Sequence, residues 1–292
     1  SNYDIEKNTF QDLLNILQNY KIKNNDIIIN CIGLLPHRFN STSLDKQNFS
    51  CDILKKFILV NSVFPHHLEK IHFIYKCKVI NITSDCVFSG DKGSYNETDP
   101  FDLFNIYGIS KTSGEPDQIC NIRTSIIGHE TYNKKSLLEW VLSQKNKTIN
   151  GYTNYLWNGL TCLELSKVIK QIILKNIYWK GTRHIYSPNT VSKYELCKII
   201  NEIYDLGISI NNFYLDKNVD RSLSSIYEND FNILPIKEQI IELEQNYKNH
   251  INIKKNIYID VNNIDYNKLL GREEIILDIN EDLNYLKHKK IL

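Results

Sequence analysis

The sequence predicts an α/β protein built around a doubly wound parallel sheet, followed by a smaller C-terminal region. Apolar runs without polar alternation occur at 26–33 and 78–83, as in strands that are covered on both faces. Segments with helical periodicity separate these runs, and the resulting alternation of helix and strand is typical of a doubly wound sheet. The 292 residues suffice for one large domain or two smaller ones.

Each predicted element has its own signal in the chain. The first helix carries an apolar stripe at Phe10, Leu13 and Leu17, which ends before a polar turn. The predicted helices lie near 8–21, 51–76, from 107 onward, 136–144, 162–175 and 192–205, and the predicted strands lie near 26–33, 78–83, 119–125, 183–187 and 208–215.

Composition excludes several classes of protein. The chain has 35 Lys and Arg against 34 Asp and Glu, a net charge of +1, which argues against a nucleic-acid or anionic-membrane partner. The apolar runs are far shorter than the ~20 residues of a membrane helix. The 7 cysteines form no C-x-x-C pair, and we expect no signal peptide. We therefore expect a cytoplasmic protein with reduced thiols and no metal site, rather than disulfides or bound zinc.

Tyr107 and Lys111 are four residues apart, so a helix places both side chains on one face. A phenol has a pKa of about 10 and becomes an effective acid or base at neutral pH only if its phenolate is stabilised, as a nearby ammonium would do. Ser84 follows a predicted buried strand, where ligands bind in open α/β sheets. A Tyr–Lys pair alone is weak evidence, since an exposed helix face gives the same spacing.

Further motifs surround this pair. They are Ser84-Asp85-Cys86-Val87-Phe88-Ser89-Gly90, Tyr95-Asn96-Glu97, Tyr107-Gly108-Ile109-Ser110-Lys111, Gly114-Glu115, Arg123-Thr124-Ser125, Trp157-Asn158-Gly159 and Asp220-Arg221-Ser222-Leu223. Together they resemble the extended short-chain dehydrogenase/reductases, and within them the dTDP-4-dehydrorhamnose reductase family and its polysaccharide-biosynthesis relatives. The resemblance covers about 26–235 and implies a Rossmann-like cofactor domain with a C-terminal substrate-binding region.

The resemblance implies a catalytic set of Ser84, Tyr107 and Lys111 and a cofactor, NADPH or NADH. Tyr107 would protonate the sugar oxygen, Lys111 would hold the ribose and lower the pKa of Tyr107, and Ser84 would polarise the carbonyl. Besides Tyr107 and Lys111, the implied cofactor-binding residues are Asn30, Cys31, Gly33 and Asn61. A strand end and a helix cap are the structural alternatives for this last group.

The resemblance also implies a nucleotide-sugar substrate. The implied substrate-binding residues are Asp85, Arg123, Trp157, Asn158 and Arg221. An Arg can hold a diphosphate with two hydrogen bonds, and an aromatic ring can stack on a base or sugar. A loop-capping role for Asp85 and a core position for Trp157 are equally open.

We expect three regions: a cofactor domain at 1–128, a mainly substrate-binding region at 129–248, and an extension at 249–292. The Gly-rich turn that opens the family's first strand has no counterpart here, and the chain contains no Met. Both features suggest an incomplete record of the natural chain, through truncation or omitted selenomethionines. Residues 269–273, Leu-Leu-Gly-Arg-Glu, resemble the lead-in to nucleotide-sugar 4,6-dehydratases, although a terminal helix and strand fit equally well. A piece of a bifunctional enzyme and an edge strand at 291–292 remain alternatives.

The favoured function is reduction of a nucleotide-linked 4-keto-6-deoxy sugar for surface polysaccharide synthesis. The alternatives are a non-catalytic nucleotide-binding or regulatory protein on the same fold, and a nucleotide-sugar epimerase or dehydratase. The resemblance also leaves open a homodimer and a fused or partner dehydratase domain.

Overall fold

The computed structural model describes residues 3–36, 50–130, 134–228 and 231–260, with side chains up to 249. The chain divides into two units, Ser1–Glu244 and Gln245–Leu292. The first unit contains the sheets and every side chain discussed below, and the described part of the second is helical. The dehydratase-like motif at 269–273 and the proposed edge strand at 291–292 lie outside the described residues.

The elements follow the predicted alternation through the first half of the chain. The helices are α1 (Phe10–Asn19), α2 (Cys51–Ile58), α3 (Phe64–Tyr75), α4 (Ile106–Thr112), α5 (Leu137–Leu142), α6 (Cys162–Lys175), α7 (Lys193–Tyr204) and α8 (Ile236–Asp260). The strands are β1 (Ile27–Asn30), β2 (Lys78–Ser84), β3 (Cys120–Thr124), β4 (Ile126–Ile127), β5 (Thr148–Tyr152), β6 (Tyr155–Trp157), β7 (Leu160–Thr161), β8 (Gly181–His184), β9 (Val191–Ser192), β10 (Ser209–Phe213) and β11 (Val219–Asp220).

The main sheet has the strand order β1-β2-β3-β8, and all its pairs are parallel. Side chains alternate between its two faces. Val79 packs with Leu68 and Ile71 of α3 on one face. Ile80 packs with Val168 of α6 on the other face. The result is a three-layer α/β/α arrangement, as predicted, and its fourth strand comes from beyond residue 128.

The first strand differs from its prediction. The sequence suggested a strand over 26–33 buried on both faces, whereas β1 covers only Ile27–Asn30 and forms one edge of the sheet among the described residues. Ile29 is 43% exposed. An apolar run without alternation therefore did not establish burial on both faces, because strand position depends on neighbours that sequence periodicity does not specify.

The predicted helix over 51–76 is interrupted. A π-helical turn at Leu59–Val63 joins α2 to α3 and contains the buried Asn61. Gly114 lies against this turn so closely that a β-carbon there would be 1.8 Å from the Asn61 carbonyl oxygen. The Gly114-Glu115 motif thus permits close contact between the segment after α4 and the π-helical turn.

The second half forms smaller sheets that the sequence only partly predicted. In one of them β6 lies between β9 and β11. Helix α8 was not predicted, and its residues Ile236, Ile240 and Leu243 join a core cluster with Leu196 and Ile200 of α7. None of the helices in the described ranges is both long and apolar enough to span a bilayer.

Candidate active site

A cavity of ≈ 570 Å³ opens at the carboxyl ends of β1, β2 and β3. This is where ligands bind in open parallel sheets, because the loops leaving adjacent strands diverge there. The residues that line it include Cys31, Gly33, Ser84, Asp85, Tyr107, Lys111 and Arg221. The fold therefore brings together all three predicted catalytic residues, two of the four further cofactor-site residues, and two of the five substrate-site residues.

Helix α4 positions the Tyr–Lys pair. Asn105 caps the helix, and its side-chain oxygen accepts a hydrogen bond from the Gly108 amide at 2.8 Å. Tyr107 and Lys111 are both buried, at 6% and 8% exposure. The Tyr107 ring packs edge-on against Phe57 of α2, with ring centroids 6.5 Å apart. Helix capping and aromatic packing together fix the direction in which both side chains enter the cavity.

The electrostatic surroundings of Tyr107 favour its protonated form. Burial raises the pKa of the phenol, the nearby Cys86 and Asp85 raise it further, and a hydrogen bond with Ser84 opposes them. The resemblance implied that Lys111 lowers this pKa; in the structure burial outweighs any such effect. A phenol that holds its proton at neutral pH is suited to donate it, which is the role that a carbonyl reduction requires.

Lys111 approaches the backbone of the loop after β1. A β-carbon on Gly33 would lie 3.1 Å from the Lys111 ammonium nitrogen, so a side chain there would displace the ammonium or narrow the space beside it. Burial lowers the pKa of Lys111 to about 8, while Glu115 and Cys86 partly oppose the shift. The described part of the cavity thus combines an ammonium with an open backbone edge, a pairing that can hold the hydroxyls of a sugar.

We expect the stability of the protein to rise with pH through Lys111. The folded pKa of about 8 lies below the ordinary value of 10.5, so between these values the unfolded chain binds more protons than the folded one. The unfolding free energy of the wild type should therefore increase relative to Lys111→Met between pH 8 and pH 10, as measured by urea denaturation. Lys198 is exposed, so the unfolding free energy of Lys198→Met should change with pH as that of the wild type does. The same pH dependence in Lys111→Met would contradict the lowered pKa of Lys111.

Ser84 ends β2 beside Tyr107. Its hydroxyl oxygen accepts a hydrogen bond from the Cys86 amide at 3.1 Å. Asp85 is buried, and burial raises the pKa of its carboxyl, although Arg221 and Lys193 act in the opposite direction. Burial also raises the pKa of the Cys86 thiol to about 11, so this thiol is protonated at neutral pH. These groups form the polar floor of the cavity.

Two predicted cofactor residues have structural partners instead. Asn30 donates to Asn81 at 2.8 Å, and Asn81 donates to Asn121 at 2.8 Å, which forms a buried amide ladder across β1, β2 and β3. Asn61 accepts from the Leu34 amide at 2.8 Å and donates to the Leu34 carbonyl at 3.0 Å. Neither side chain is part of the cavity lining, and Asn61 acts on the site by holding the loop that carries Gly33.

Two predicted substrate residues are also absent from the cavity lining. Trp157 is buried in the core cluster of the second half. Asn158 accepts from the Leu223 amide and donates to the Leu223 carbonyl, both at 2.8 Å. Asn158 therefore fixes the segment that follows Arg221, so its contribution to the site is positional.

Arg123 was expected beside the substrate, and the structure places it inside the protein. Its guanidinium pairs with Glu115, with Nε donating to Oε1 at 3.1 Å, and both side chains are about 95% buried. Arg123 also donates to His184 Nε2 at 2.7 Å, while His184 Nδ1 donates to the Tyr95 and Ser224 carbonyls. The resemblance could not reveal this, because a sequence motif does not show that Glu115 and His184 meet the same guanidinium.

The asparagine ladder and Lys193 are the polar features that the sequence analysis missed. Asn81 and Asn121 lie within apolar strands and are buried. An amide in such a strand needs a buried hydrogen-bond partner, and this was the signal that could have revealed the ladder. Lys193 follows Ser192, which caps α7. In the described ranges, no group of three or more His, Cys, Asp or Glu side chains could hold a metal ion.

No protein-family model and no curated protein matches the chain. Solved structures match it by fold. A dTDP-4-dehydrorhamnose reductase from Bacillus anthracis str. Ames, in complex with NADP, has a TM-score of 0.65 at 18% identity, over 84% of this chain and 87% of that chain. A hypothetical dTDP-4-dehydrorhamnose reductase from Sulfolobus tokodaii has a TM-score of 0.60 at 23% identity, over 79% and 82% of the two chains.

A dTDP-glucose 4,6-dehydratase from Bacillus anthracis str. Ames, in complex with NAD, has a TM-score of 0.59 at 14% identity, over 85% of this chain and 78% of that chain. These similarities establish the fold. They confirm the predicted Rossmann-like α/β class, and they agree with the resemblance drawn from the motifs.

Proposed function

We propose that this chain, which has the fold of the dTDP-4-dehydrorhamnose reductases, is a nicotinamide-dependent reductase of a nucleotide-linked keto sugar. The observation that carries the proposal is the placement of Ser84, Tyr107 and Lys111 in the lining of one cavity at the carboxyl ends of the sheet. The finer expectation is a 4-keto-6-deoxy sugar used in surface polysaccharide synthesis.

The residues present fit a nicotinamide cofactor. Gly33 leaves open backbone beside the Lys111 ammonium, where a β-carbon would crowd it at 3.1 Å. Lys111 would hold the ribose hydroxyls there, with Cys31 and Gly33 forming the adjoining wall. When bound, the cofactor supplies a hydride to the carbonyl carbon.

The chain's own residues would handle the proton. Ser84 would donate a hydrogen bond to the carbonyl oxygen, which polarises the carbonyl. Tyr107, protonated because burial raises the pKa of its phenol, would give its proton to the same oxygen as negative charge develops there. Lys111 would then stabilise the resulting phenolate, since an ammonium in a dry site is a strong counter-ion.

Two measurements on the full chain test this proposal. Calorimetric titration with NADPH and NADH should show binding of at least one, and a panel of nucleotide-linked keto sugars should then cause loss of reduced-nicotinamide absorbance. Binding of neither cofactor would contradict the reductase and favour a non-catalytic nucleotide-binding protein. Cofactor binding with release of water from a 4-hydroxylated nucleotide-sugar, and no net oxidation of the cofactor, would favour a dehydratase.

A further inference from the structure

Two cations lie near the cavity: Arg221 is part of its lining, and Lys193, which is not, interacts electrostatically with Asp85 and Cys86, which are. The central strand β6 of the three-stranded sheet pairs in parallel with β11, where Asp220 is opposite Leu156, and antiparallel with β9, where Ser192 is opposite Leu156. Arg221 follows β11 directly and Lys193 follows β9 directly. The backbone therefore places Lys193 and Arg221 on opposite flanks of β6.

Neither cation has an acidic partner in contact. The Lys193 ammonium lies over two aromatic rings, 5.5 Å from the centroid of Tyr155 and 5.0 Å from that of Trp157. Arg221 donates to the Ser89 carbonyl at 3.4 Å and to the Cys86 sulfur at 3.8 Å. Across the described residues, no carboxylate lies within ion-pair distance of Lys193 or Arg221, although each of them is partly buried.

The charge balance on this wall is positive. Asp85 is the carboxylate that interacts electrostatically with both Lys193 and Arg221, and a single buried carboxylate cannot neutralise two cations. Burial lowers the pKa of Lys193, and the nearby Arg221 adds to that effect. Partly buried cations without a counter-ion in contact are costly, so the arrangement is suited to an anion that arrives with a ligand.

We propose that Lys193 is a substrate-binding residue that, with Arg221, holds the diphosphate of a nucleotide-linked ligand at the wall of the cavity that Arg221 lines. This inference rests on the proposed function and adds a residue that lies outside the motifs quoted above. Arg221 offers the planar fork that can hold one phosphate with two hydrogen bonds. Lys193 offers a point charge to the other phosphate, and the two rings fix its position.

The test is calorimetric binding of dTDP and UDP, and of thymidine and uridine, to the full chain without any nicotinamide. The wild type should bind at least one diphosphate more tightly than its nucleoside. Lys193→Met should weaken binding of that diphosphate by about tenfold or more and leave nucleoside affinity within about twofold, because Met keeps an unbranched apolar side chain and removes the charge. Lys193→Arg should recover most of the affinity.

Lys198→Met is the matched control. Lys198 belongs to the same helix, and its ammonium also lies over a ring, 5.4 Å from the centroid of Tyr194. Lys198 is exposed, so Lys198→Met should leave diphosphate affinity unchanged. A circular-dichroism melt of each variant shows whether Lys193→Met is folded. If Lys193→Met does not fold, the diphosphate affinities of Lys193→Arg and Lys193→Gln are compared instead, because only the first keeps the positive charge.

Three results would overturn the inference: no diphosphate binding by the wild type, unchanged diphosphate affinity in Lys193→Met, or an equal loss for diphosphate and nucleoside. The second and third would assign Lys193 to packing. These titrations involve no turnover, so their outcome does not depend on whether the chain is a reductase. A chain that binds the diphosphate through Lys193 and reduces no keto sugar contradicts only the reductase.

Discussion

Tyr107→Phe should lower turnover by about 10²–10⁴-fold while leaving cofactor affinity within about twofold. The substitution removes the phenolic proton and keeps the ring that packs edge-on against Phe57. The proton would otherwise have to come from Ser84, a much weaker acid, or from water reaching a buried site. Steady-state loss of reduced-nicotinamide absorbance gives the rate, and calorimetry gives the affinity.

The matched control is Tyr178→Phe. The Tyr178 hydroxyl is buried, and among the described residues no hydrogen-bond partner reaches it. Tyr178 is also absent from the lining of the cavity that contains Tyr107. Removal of the Tyr178 hydroxyl should leave turnover and cofactor affinity unchanged. Turnover by Tyr107→Phe comparable to that of the wild type would exclude Tyr107 as the proton donor, whatever the substrate.

Glu115→Gln should lower the unfolding free energy by about 3–5 kcal/mol. The substitution leaves the Arg123 guanidinium without a counter-ion, although its side chain is only 3% exposed. His184 cannot compensate, because its Nδ1 donates to backbone carbonyls and its Nε2 accepts from Arg123, which is the neutral form of the ring. Burial and Arg123 both lower the pKa of His184, which keeps it in that form.

Urea denaturation followed by circular dichroism measures the effect. Lys237→Met is the control, since Lys237 pairs with Glu202 at 2.7 Å while both side chains are about half exposed, and its loss should cost less than about 1 kcal/mol. The double variant Glu115→Met with Arg123→Met should recover much of the stability, because it leaves no unpaired charge. A loss below about 1 kcal/mol in Glu115→Gln would show that the pair contributes little.

Much of the first half could be predicted from local patterns. The helix that became α1 and the strands that became β2 and β3 follow from apolar spacing, which acts within a few positions of the chain. The interruption at Leu59–Val63 could not be predicted this way, because the close approach of Gly114 to Asn61 involves segments about fifty residues apart. Helix α8 was missed because its polar composition hides the few apolar positions that pack, such as Ile236 and Ile240.

Some residues of the candidate site could likewise be predicted from local sequence patterns, and others could not. Tyr107 and Lys111 could be proposed because one helix fixes their relation, and Ser84 because a strand end fixes its location. Arg123 and Trp157 were assigned by motif, and the structure gives them internal partners. Lys193 was missed because only the pairing of β6 with β9 and β11 brings it near Arg221.

The sequence by itself therefore determined the α/β class and the positions of most elements, since these depend on spacing within single helices and strands, and its resemblance to a known family implied the catalytic set proposed for the cavity. Only the tertiary structure decided which polar residues face the cavity and which are held inside. Asn30 and Arg123 have polar side chains of the kind that bind ligands. In the structure, however, they form hydrogen bonds with Asn81 and Glu115, respectively. A buried polar group is held by whichever partner the fold brings within reach, and sequence spacing does not record that distance.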